Sequence, residues 1–368
     1  MKIKFNDLSH YHNKIKHKFN QILKKSIEKS DFIGGYEVKK FENNFKKINQ
    51  SKYCISCGNG SDALLIAIKA LGINPGDEVI VTALSWIASS AAITSAGGKV
   101  VFCDIEKKSF NIDPELIEKK ITKKTVGIIV VHLYGYPADM IKITKISKKY
   151  KLWCVEDCAQ SHLAEIKGRK VGNFGNFGTY SFFPGKNLGA LGDAGCLVTN
   201  SKALARKARL IANHGGKGLH LLEGINSRMD SIQAGFLNIK IKEIKNHTKK
   251  RINHAKLYDS ILKGIPNIKT PNIDKTYKAV YHQYTIRTKF RNKLKKFLEE
   301  KGIETQIHYK QALIQMKAYK YLKINTKKNF SNVQKTIKEI LCLPISPDKT
   351  NKQINYIANK IKYFYRNN

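Results

Sequence analysis

Residues 53–63 read Tyr-Cys-Ile-Ser-Cys-Gly-Asn-Gly-Ser-Asp-Ala and contain, in this order, an apolar run, a glycine turn and the beginning of a helix. The apolar run predicts a buried strand, and Ser61-Asp62 is typical of a helix N-terminus. Unpaired backbone N–H groups and the helix dipole suit such a turn to a phosphate. We therefore predict a strand, a turn and a helix, with Gly60 and Ser61 next to a bound phosphate.

The same alternation of short apolar runs and helical segments continues to about residue 199. Strands this apolar imply a largely parallel sheet with helices on both faces. The helices have their own boundary residues, because Gly72 follows segment 63–70 and Pro114 lies in the first turn of segment 114–120. The fold class is therefore α/β, with a large, mainly parallel seven-stranded sheet flanked by helices. The predicted strands are Tyr53–Ser56, Glu78–Ala83, Val100–Cys103, Val126–His132, Leu152–Val155, Thr179–Phe183 and Cys196–Thr199.

The chain divides into two predicted domains. Residues 1–245 hold two amphipathic N-terminal helices and the large sheet, and residues 246–368 form a smaller α+β domain. Pro266 and Pro271 mark a turn after a Lys-rich helical region. The elements predicted beyond this turn are strands at Tyr281–Thr288 and Glu304–His308 and helices at Asn292–Lys301 and Asn351–Phe364.

Charge and cysteine content narrow the classes of function. The 368 residues include 67 Lys and Arg against 28 Asp and Glu, a formal net charge of +39, which raises a nucleic-acid hypothesis. Only eight of the basic residues are Arg and the Lys residues are spread along the chain, so we expect no nucleic-acid partner. Seven cysteines, an odd number, and the lack of a long apolar run favour a cytoplasmic protein that does not span a membrane.

Two familiar motifs are incomplete in this chain. Gly58-x-Gly60-x-x-Ala63 fits a loose dinucleotide fingerprint, but the acidic pair Asp77-Glu78 precedes the second strand instead of ending it. Cys54-Ile-Ser-Cys57 has the spacing of half a zinc site, and no second cysteine pair follows at zinc distance. A cofactor with a single phosphate remains compatible with the turn, and no metal is expected.

Two further segments bring reactive groups to the predicted carboxyl edge of the sheet. One strand ends in Glu156 and Asp157, at the edge where open α/β sheets bind ligands. Lys186 follows another strand in a stretch rich in glycine, and a partly desolvated lysine can form a Schiff base. With the phosphate turn, these are the parts that pyridoxal 5'-phosphate needs. Lys186 would bind its aldehyde, Asp157 would keep its pyridine nitrogen protonated, and Trp86 would stack on the ring.

These residues belong to motifs that extend over nearly the whole chain. With them the sequence resembles the DegT/DnrJ/EryC1/StrS family of sugar aminotransferases, a branch of the aspartate aminotransferase-like (fold type I) pyridoxal-phosphate enzymes. The resemblance implies fold type I. It also implies transaminase activity, because relatives that dehydrate sugars have histidine in place of Lys186. The motifs, in the family's order, are Phe32-Ile-Gly-Gly-Tyr-Glu-Val, Gly58-Asn-Gly-Ser-Asp-Ala-Leu, Val131-His-Leu-Tyr-Gly, Val155-Glu-Asp-Cys-Ala-Gln, Ser181-Phe-Phe-Pro-Gly-Lys-Asn-Leu-Gly and Gly224-Ile-Asn-Ser-Arg-Met-Asp.

The resemblance also implies roles for individual residues. Lys186 becomes the catalytic lysine, which binds the cofactor and carries the proton, and Asp157 becomes the partner of the pyridinium nitrogen. Asn226 would reach the phosphate from a second subunit, which implies a homodimer with shared active sites. The implied cofactor-binding residues are Gly60, Ser61, Trp86, Asp157, Gln160, Ser181, Lys186 and Asn226.

The implied substrate is a nucleotide-linked keto-sugar, with L-glutamate as amino donor. The segment Pro184–Gly189 is similar to the subgroup that acts on dTDP-linked 3-keto-6-deoxyhexoses, with Phe183 and Lys310 as departures from the subgroup's pattern. A 4-keto-sugar aminotransferase and a pyridoxal-phosphate-binding regulatory protein are the alternatives. Candidate contacts to the nucleotide sugar are His162, Lys217 and His308.

Overall fold

The computed structural model describes residues 1–216, 218–325 and 329–367. In these ranges the strands are β1 (Tyr53–Cys57), β2 (Glu78–Thr82), β3 (Lys99–Cys103), β4 (Thr125–Val131), β5 (Trp153–Asp157), β6 (Glu165–Ile166), β7 (Arg169–Lys170), β8 (Phe177–Ser181), β9 (Gly195–Thr199), β10 (Ile268–Lys269), β11 (Tyr277–Lys278), β12 (Tyr284–Thr288) and β13 (Ile340–Leu343). The α-helices in the same ranges are α1 (Ser9–Glu28), α2 (Tyr36–Asn49), α3 (Gly60–Leu71), α4 (Ala88–Ser95), α5 (Pro114–Ile117), α6 (Met140–Lys149), α7 (Lys202–Ile211), α8 (Ser231–Lys240), α9 (Ile244–Leu262), α10 (Arg291–Glu300), α11 (Ser331–Glu339) and α12 (Asn351–Arg366).

A seven-stranded sheet with the order β1-β9-β8-β5-β4-β2-β3 forms the centre of the N-terminal part. Strands β8, β5, β4, β2 and β3 run parallel to one another, and β9 runs antiparallel to both β1 and β8. All seven predicted strands lie in this sheet, so the prediction of an α/β fold with a large, mainly parallel sheet is confirmed. Because strands β5 and β8 are parallel, their carboxyl ends, Asp157 and Ser181, lie at the same edge of the sheet.

The central sheet is buried on both faces. Val79 and Val81 of β2 belong to one hydrophobic cluster, whereas Ile80 between them belongs to the other. Ile128 and Ile129 of β4 divide in the same way. Successive side chains of a strand point to opposite faces, and a near-continuous apolar strand is therefore the pattern of a sheet covered on both sides.

The C-terminal part has its own three-stranded sheet, β10-β12-β13, and its own hydrophobic cluster, to which α9, α10 and α12 contribute. The helices predicted at 292–301 and 351–364 correspond to α10 and α12, and the strand predicted at 281–288 corresponds to β12. The prediction of a strand at Glu304–His308 was wrong. The segment makes only the single bridge Gln306–Cys342 among the described residues, because its neighbour Ile303 pairs instead with Ile3 near the N-terminus.

Strand β13 was not predicted. It follows α11 directly, without a glycine or proline between them, so that the sequence carries no boundary signal at this point. The domain boundary at residue 245 stays a prediction; α9 begins beside it at Ile244. No helix in the described part of the chain is both long and apolar enough to cross a membrane.

Candidate active site

The phosphate turn lies where β1 meets α3. Asn59 caps α3, because its Oδ1 accepts a hydrogen bond of 2.8 Å from the backbone N–H of Asp62. Ser61 is exposed in the first turn of the helix. Gly60 packs against the end of β8 so closely that a Cβ on it would lie 2.5 Å from the Cβ of Ser181. The structure thus brings Gly60, Ser61 and Ser181 together, and only glycine permits this approach.

Asp157, the last residue of β5, is a buried carboxylate held by two hydrogen bonds. The hydroxyl of Ser89 donates to its Oδ2 at 2.7 Å, and the backbone N–H of Ala159 donates to its Oδ1 at 3.1 Å. Ser89 itself lies 2.8 Å from the hydroxyl of Ser85. The pattern of apolar and polar residues did not predict that Ser89 contacts Asp157. The only signal in the sequence is that Ser89 lies three residues after Trp86, a predicted cofactor-binding residue.

Glu156, the preceding residue, faces the opposite side of the sheet and has a structural role. Its Oε1 accepts 2.7 Å hydrogen bonds from the backbone N–H groups of Phe174 and Gly175, and its Oε2 accepts one from Gly172. His132 lies 3.1 Å from the same Oε2. Because the backbone N–H of Ala138 donates to Nδ1 of His132, the ring proton is on Nε2 and points to Glu156.

His132, Glu156 and Cys158 form the one group of potential metal ligands found among the described residues. The hydrogen bonds just described already occupy both oxygens of Glu156 and both nitrogens of His132. Burial raises the pKa of the Cys158 thiol well above its ordinary value, so that the thiol stays protonated. We assign this group to the packing beneath β5.

Lys186 lies in the segment that follows β8. Its backbone N–H donates to the carbonyl of Phe183 at 2.9 Å, which sets the segment in a turn. Burial lowers the pKa of its amine to about 8, and the nearby carboxylate of Asp157 acts in the opposite direction. None of the hydrogen bonds or ion pairs of the described residues involves its Nζ. A desolvated amine with a lowered pKa and no protein partner is suited to attack a carbonyl group.

Aromatic side chains border this group. The indole of Trp86 is 59% exposed, and its ring centroid lies 5.9 Å from that of Tyr309. Gln160 is buried, donates from Nε2 to the Tyr309 hydroxyl at 3.1 Å and accepts at Oε1 from the backbone N–H of Tyr134 at 2.6 Å. The sequence motifs did not single out Tyr309, although it follows the predicted residue His308 directly.

The predicted substrate contacts differ in their surroundings. His308 lies near Lys186, and burial together with the charge of that lysine lowers its pKa. His162 is only 1% exposed, between the rings of Tyr180 and Phe182, and burial lowers its pKa to about 3, so that it is neutral at physiological pH. Lys217 lies outside the described residues.

Asn226 is exposed. Its Oδ1 accepts a hydrogen bond of 3.0 Å from Nε of Arg228, and its backbone bridges to Asn213.

His282 is a further residue that the sequence motifs did not indicate. It is partly buried beside Lys186, and its Nδ1 lies 3.3 Å from Oδ1 of Asn187.

These residues fit pyridoxal phosphate. The lack of a side chain on Gly60 leaves space at the beginning of α3 beside Ser181, Asp157 is a carboxylate held by hydrogen bonds, and the amine of Lys186 has no hydrogen-bond partner among the described residues. When bound, the cofactor supplies the aldehyde that takes up an amino group and the ring that withdraws electrons. The fold and this set of residues are those that a pyridoxal-phosphate-dependent enzyme needs.

Comparison with known proteins agrees with this class. Residues 13–362 match the DegT/DnrJ/EryC1/StrS aminotransferase family. The chain is 41% identical to a pleiotropic regulatory protein of Geobacillus stearothermophilus, across 100% of this chain and 99% of the relative. It is 37% identical to the dTDP-3-amino-3,6-dideoxy-alpha-D-galactopyranose transaminase of Aneurinibacillus thermoaerophilus, across 98% of this chain and 99% of the relative.

The crystal structure of S. venezuelae DesV in complex with a ketimine intermediate has a TM-score of 0.96 to this structure, at 32% identity, and covers 99% of this chain and 98% of that chain. The chain therefore belongs to the DegT/DnrJ/EryC1/StrS aminotransferase family. The expectations of fold type I, transaminase activity and pyridoxal phosphate as cofactor are confirmed at the level of the family.

Proposed function

We propose that the protein transfers the amino group of L-glutamate to C3 of a dTDP-linked 3-keto-6-deoxyhexose. The product is a dTDP-3-amino-3,6-dideoxyhexose for a surface polysaccharide of the O-antigen type. The observation that carries the proposal is the largely buried Lys186, whose amine has a pKa of about 8 and lies close to Asp157. The Aneurinibacillus thermoaerophilus relative, whose name specifies a dTDP-3-amino sugar, supports the choice of substrate.

In this proposal each residue of the site has one task. Lys186 holds the cofactor between turnovers and, once released, moves a proton between the substrate carbon and the cofactor carbon. Asp157 binds the pyridine nitrogen, and Ser89 keeps its carboxylate in place. Gly60 and Ser61 bind the phosphate at the start of α3, and Ser181 binds it from the end of β8.

The remaining residues position the ring and the substrate. Trp86 covers one face of the ring, and Gln160 lies beside it, held by Tyr309. His162, Lys217 and His308 are the proposed contacts on the side of the nucleotide sugar. The excess of basic residues favours the approach of a diphosphate and of glutamate, which are both anionic.

We further propose a homodimer in which Asn226 completes the phosphate site of the other subunit. The exposed position of Asn226, which leaves its side chain accessible to a second subunit, supports this arrangement. Large exposed apolar side chains on nearby segments would be covered in such a dimer. They are Phe32, Ile33, Tyr36, Leu219 and Leu221.

The test is a two-stage assay with the purified, cofactor-loaded protein. Glutamate alone should convert the visible absorbance band of the aldehyde form to the near-ultraviolet band of the amine form. The dTDP-linked 3-keto sugar should then restore the visible band, and NMR of the product should place the amino group at C3. Lys186→Ala should do neither, whereas Lys207→Ala, on an exposed face of α7, should do both.

Other outcomes identify the alternatives. Restoration of the band only by a UDP- or GDP-linked sugar, or an amino group at C4, would correct the substrate and leave the transaminase class intact. A regulatory role is favoured by the name of the Geobacillus stearothermophilus relative. It would be supported if Lys186→Ala still complemented deletion of the gene, because that variant cannot transfer an amino group.

A further inference from the structure

The segment that carries Lys186, residues 182–191, is called the lysine segment here. Its two ends are joined by a 2.7 Å hydrogen bond from the backbone N–H of Ala190 to the carbonyl of Phe182. Gly189 comes so close to the beginning of the segment that a Cβ on it would lie 2.2 Å from the carbonyl oxygen of Pro184. The backbone at Gly189 is therefore fixed, and its own carbonyl needs a donor from elsewhere.

That donor is Lys240, the last residue of α8. Its Nζ lies 2.7 Å from the carbonyl oxygen of Gly189, and the side chain is buried. Nε2 of His12 lies at 3.5 Å, and the rings of Tyr11 and Phe236 lie 5.8 Å and 5.2 Å away. The ammonium is thus enclosed between α8, the N-terminal part of α1 and the lysine segment.

Among the described residues no carboxylate forms an ion pair with this buried cation; the negative charge of Asp348 favours the ammonium only at longer range, and the positive charge of Arg251 opposes it. Burial lowers the pKa of Lys240 to about 8. An unpaired buried ammonium is costly, whereas methionine or leucine would fill the same space without that cost. Its one close oxygen partner among the described residues is the Gly189 carbonyl, three residues beyond Lys186 along the chain.

We propose that Lys240 is a positioning residue for Lys186, which it holds in place through the carbonyl of Gly189. It acts on the backbone of the lysine segment and takes no part in the chemistry. Because the same ammonium is enclosed by Tyr11 and His12, α1 also supports the position of the segment. The inference rests on the proposed role of Lys186 as the reacting lysine.

The test compares Lys240→Met with Lys240→Arg, which keeps a cationic donor, and with Lys242→Met, which removes an exposed lysine two residues away. Amide hydrogen exchange of the cofactor-free protein is measured for the lysine segment and, as reference, for residues 153–157 of β5. We expect Lys240→Met to speed exchange in the lysine segment about tenfold and to leave β5 unchanged. Lys240→Arg should restore most of the protection, and Lys242→Met should match the wild type. Lys240→Leu, which also lacks a donor, provides the same loss should the methionine variant fail to fold.

The loaded enzyme gives a second result. Lys240→Met should lower kcat about tenfold and leave the KM for glutamate within about twofold, because the lysine is misplaced and the substrate contacts are kept. Unchanged exchange in the lysine segment, or equal acceleration there and in β5, would overturn the proposal. Failure of the proposed function has a different signature, namely an active Lys186→Ala variant, and leaves the exchange experiment unaffected.

Discussion

The hydroxyl of Ser89 donates a 2.7 Å hydrogen bond to Oδ2 of Asp157, and this bond joins the start of α4 to the end of β5. Both side chains are buried. A hydrogen bond to an ionised group is stronger than one between neutral groups, and here it fixes the direction of the carboxylate. Asp157 therefore faces the lysine segment in an orientation that a strand end alone does not impose.

Replacement of Ser89 by alanine should weaken cofactor binding without unfolding the protein. The loss of one charge-assisted hydrogen bond, about 1.5–3 kcal/mol, corresponds to a Kd for pyridoxal phosphate higher by about tenfold or more. Equilibrium titration of the cofactor-free variant measures this. Ser90→Ala is the matched control, because that hydroxyl bonds to Tyr319 and not to the carboxylate. Equal affinities of the two variants would contradict the role assigned to Ser89.

Glu156 and Asp157 are adjacent carboxylates that should respond differently to removal of their charge. Glu156→Gln places an amide N–H₂ group opposite backbone N–H groups, which then lack an acceptor. Each N–H group left unpaired should reduce the free energy of unfolding by about 1–3 kcal/mol, so the melting temperature should fall. Asp157→Asn should keep the melting temperature of the cofactor-free protein close to that of the wild type and lose transaminase activity. Calorimetry of the cofactor-free variants and the glutamate half-reaction separate the two effects. A stable Glu156→Gln variant without activity would reverse our assignment.

The lowered pKa of Lys186 has a definite consequence for stability. Burial brings the pKa from 10.5 to about 8, so between these values the unfolded chain binds the proton and the folded chain does not. The free energy of unfolding of the wild type, relative to Lys186→Met, should therefore rise as the pH increases from about 8 to about 10.5. Denaturant titrations of both cofactor-free proteins from pH 7 to pH 10 measure the difference. A difference independent of pH would show that Lys186 titrates as an ordinary exposed lysine.

The proposed homodimer, in which Asn226 completes the site of the other subunit, predicts complementation between two impaired variants. Lys186→Ala and Asn226→Ala, refolded together in equal amounts, should recover about a quarter of the wild-type activity. Half of the dimers formed at random are mixed, and each mixed dimer contains one intact site. Each variant refolded alone is the control. Recovery no greater than the mean of the two separate variants would place Asn226 in the site of its own subunit.

Much of the fold was predictable because its signals are local. A strand covered on both faces must be apolar throughout, and all seven strands of the central sheet were found in this way. Strand β13 was missed and 304–308 was wrongly assigned because pairing with Ile3 or with β12 depends on residues distant in sequence. The local sequence pattern does not indicate which other segment a strand will pair with.

The sequence by itself determined the chemistry of the site, because the chemistry depends on residue type and on local order along the chain. The parts are a glycine turn before a helix, a carboxylate at a strand end and a lysine in a glycine-rich segment. Only the tertiary structure decided how each group is held. Ser89 is 68 residues from Asp157, Lys240 is 51 residues from Gly189, and Gln160 is 149 residues from Tyr309. Hydrogen bonds act over about 3 Å regardless of separation along the chain, so these supports exist only once the strands and helices have packed.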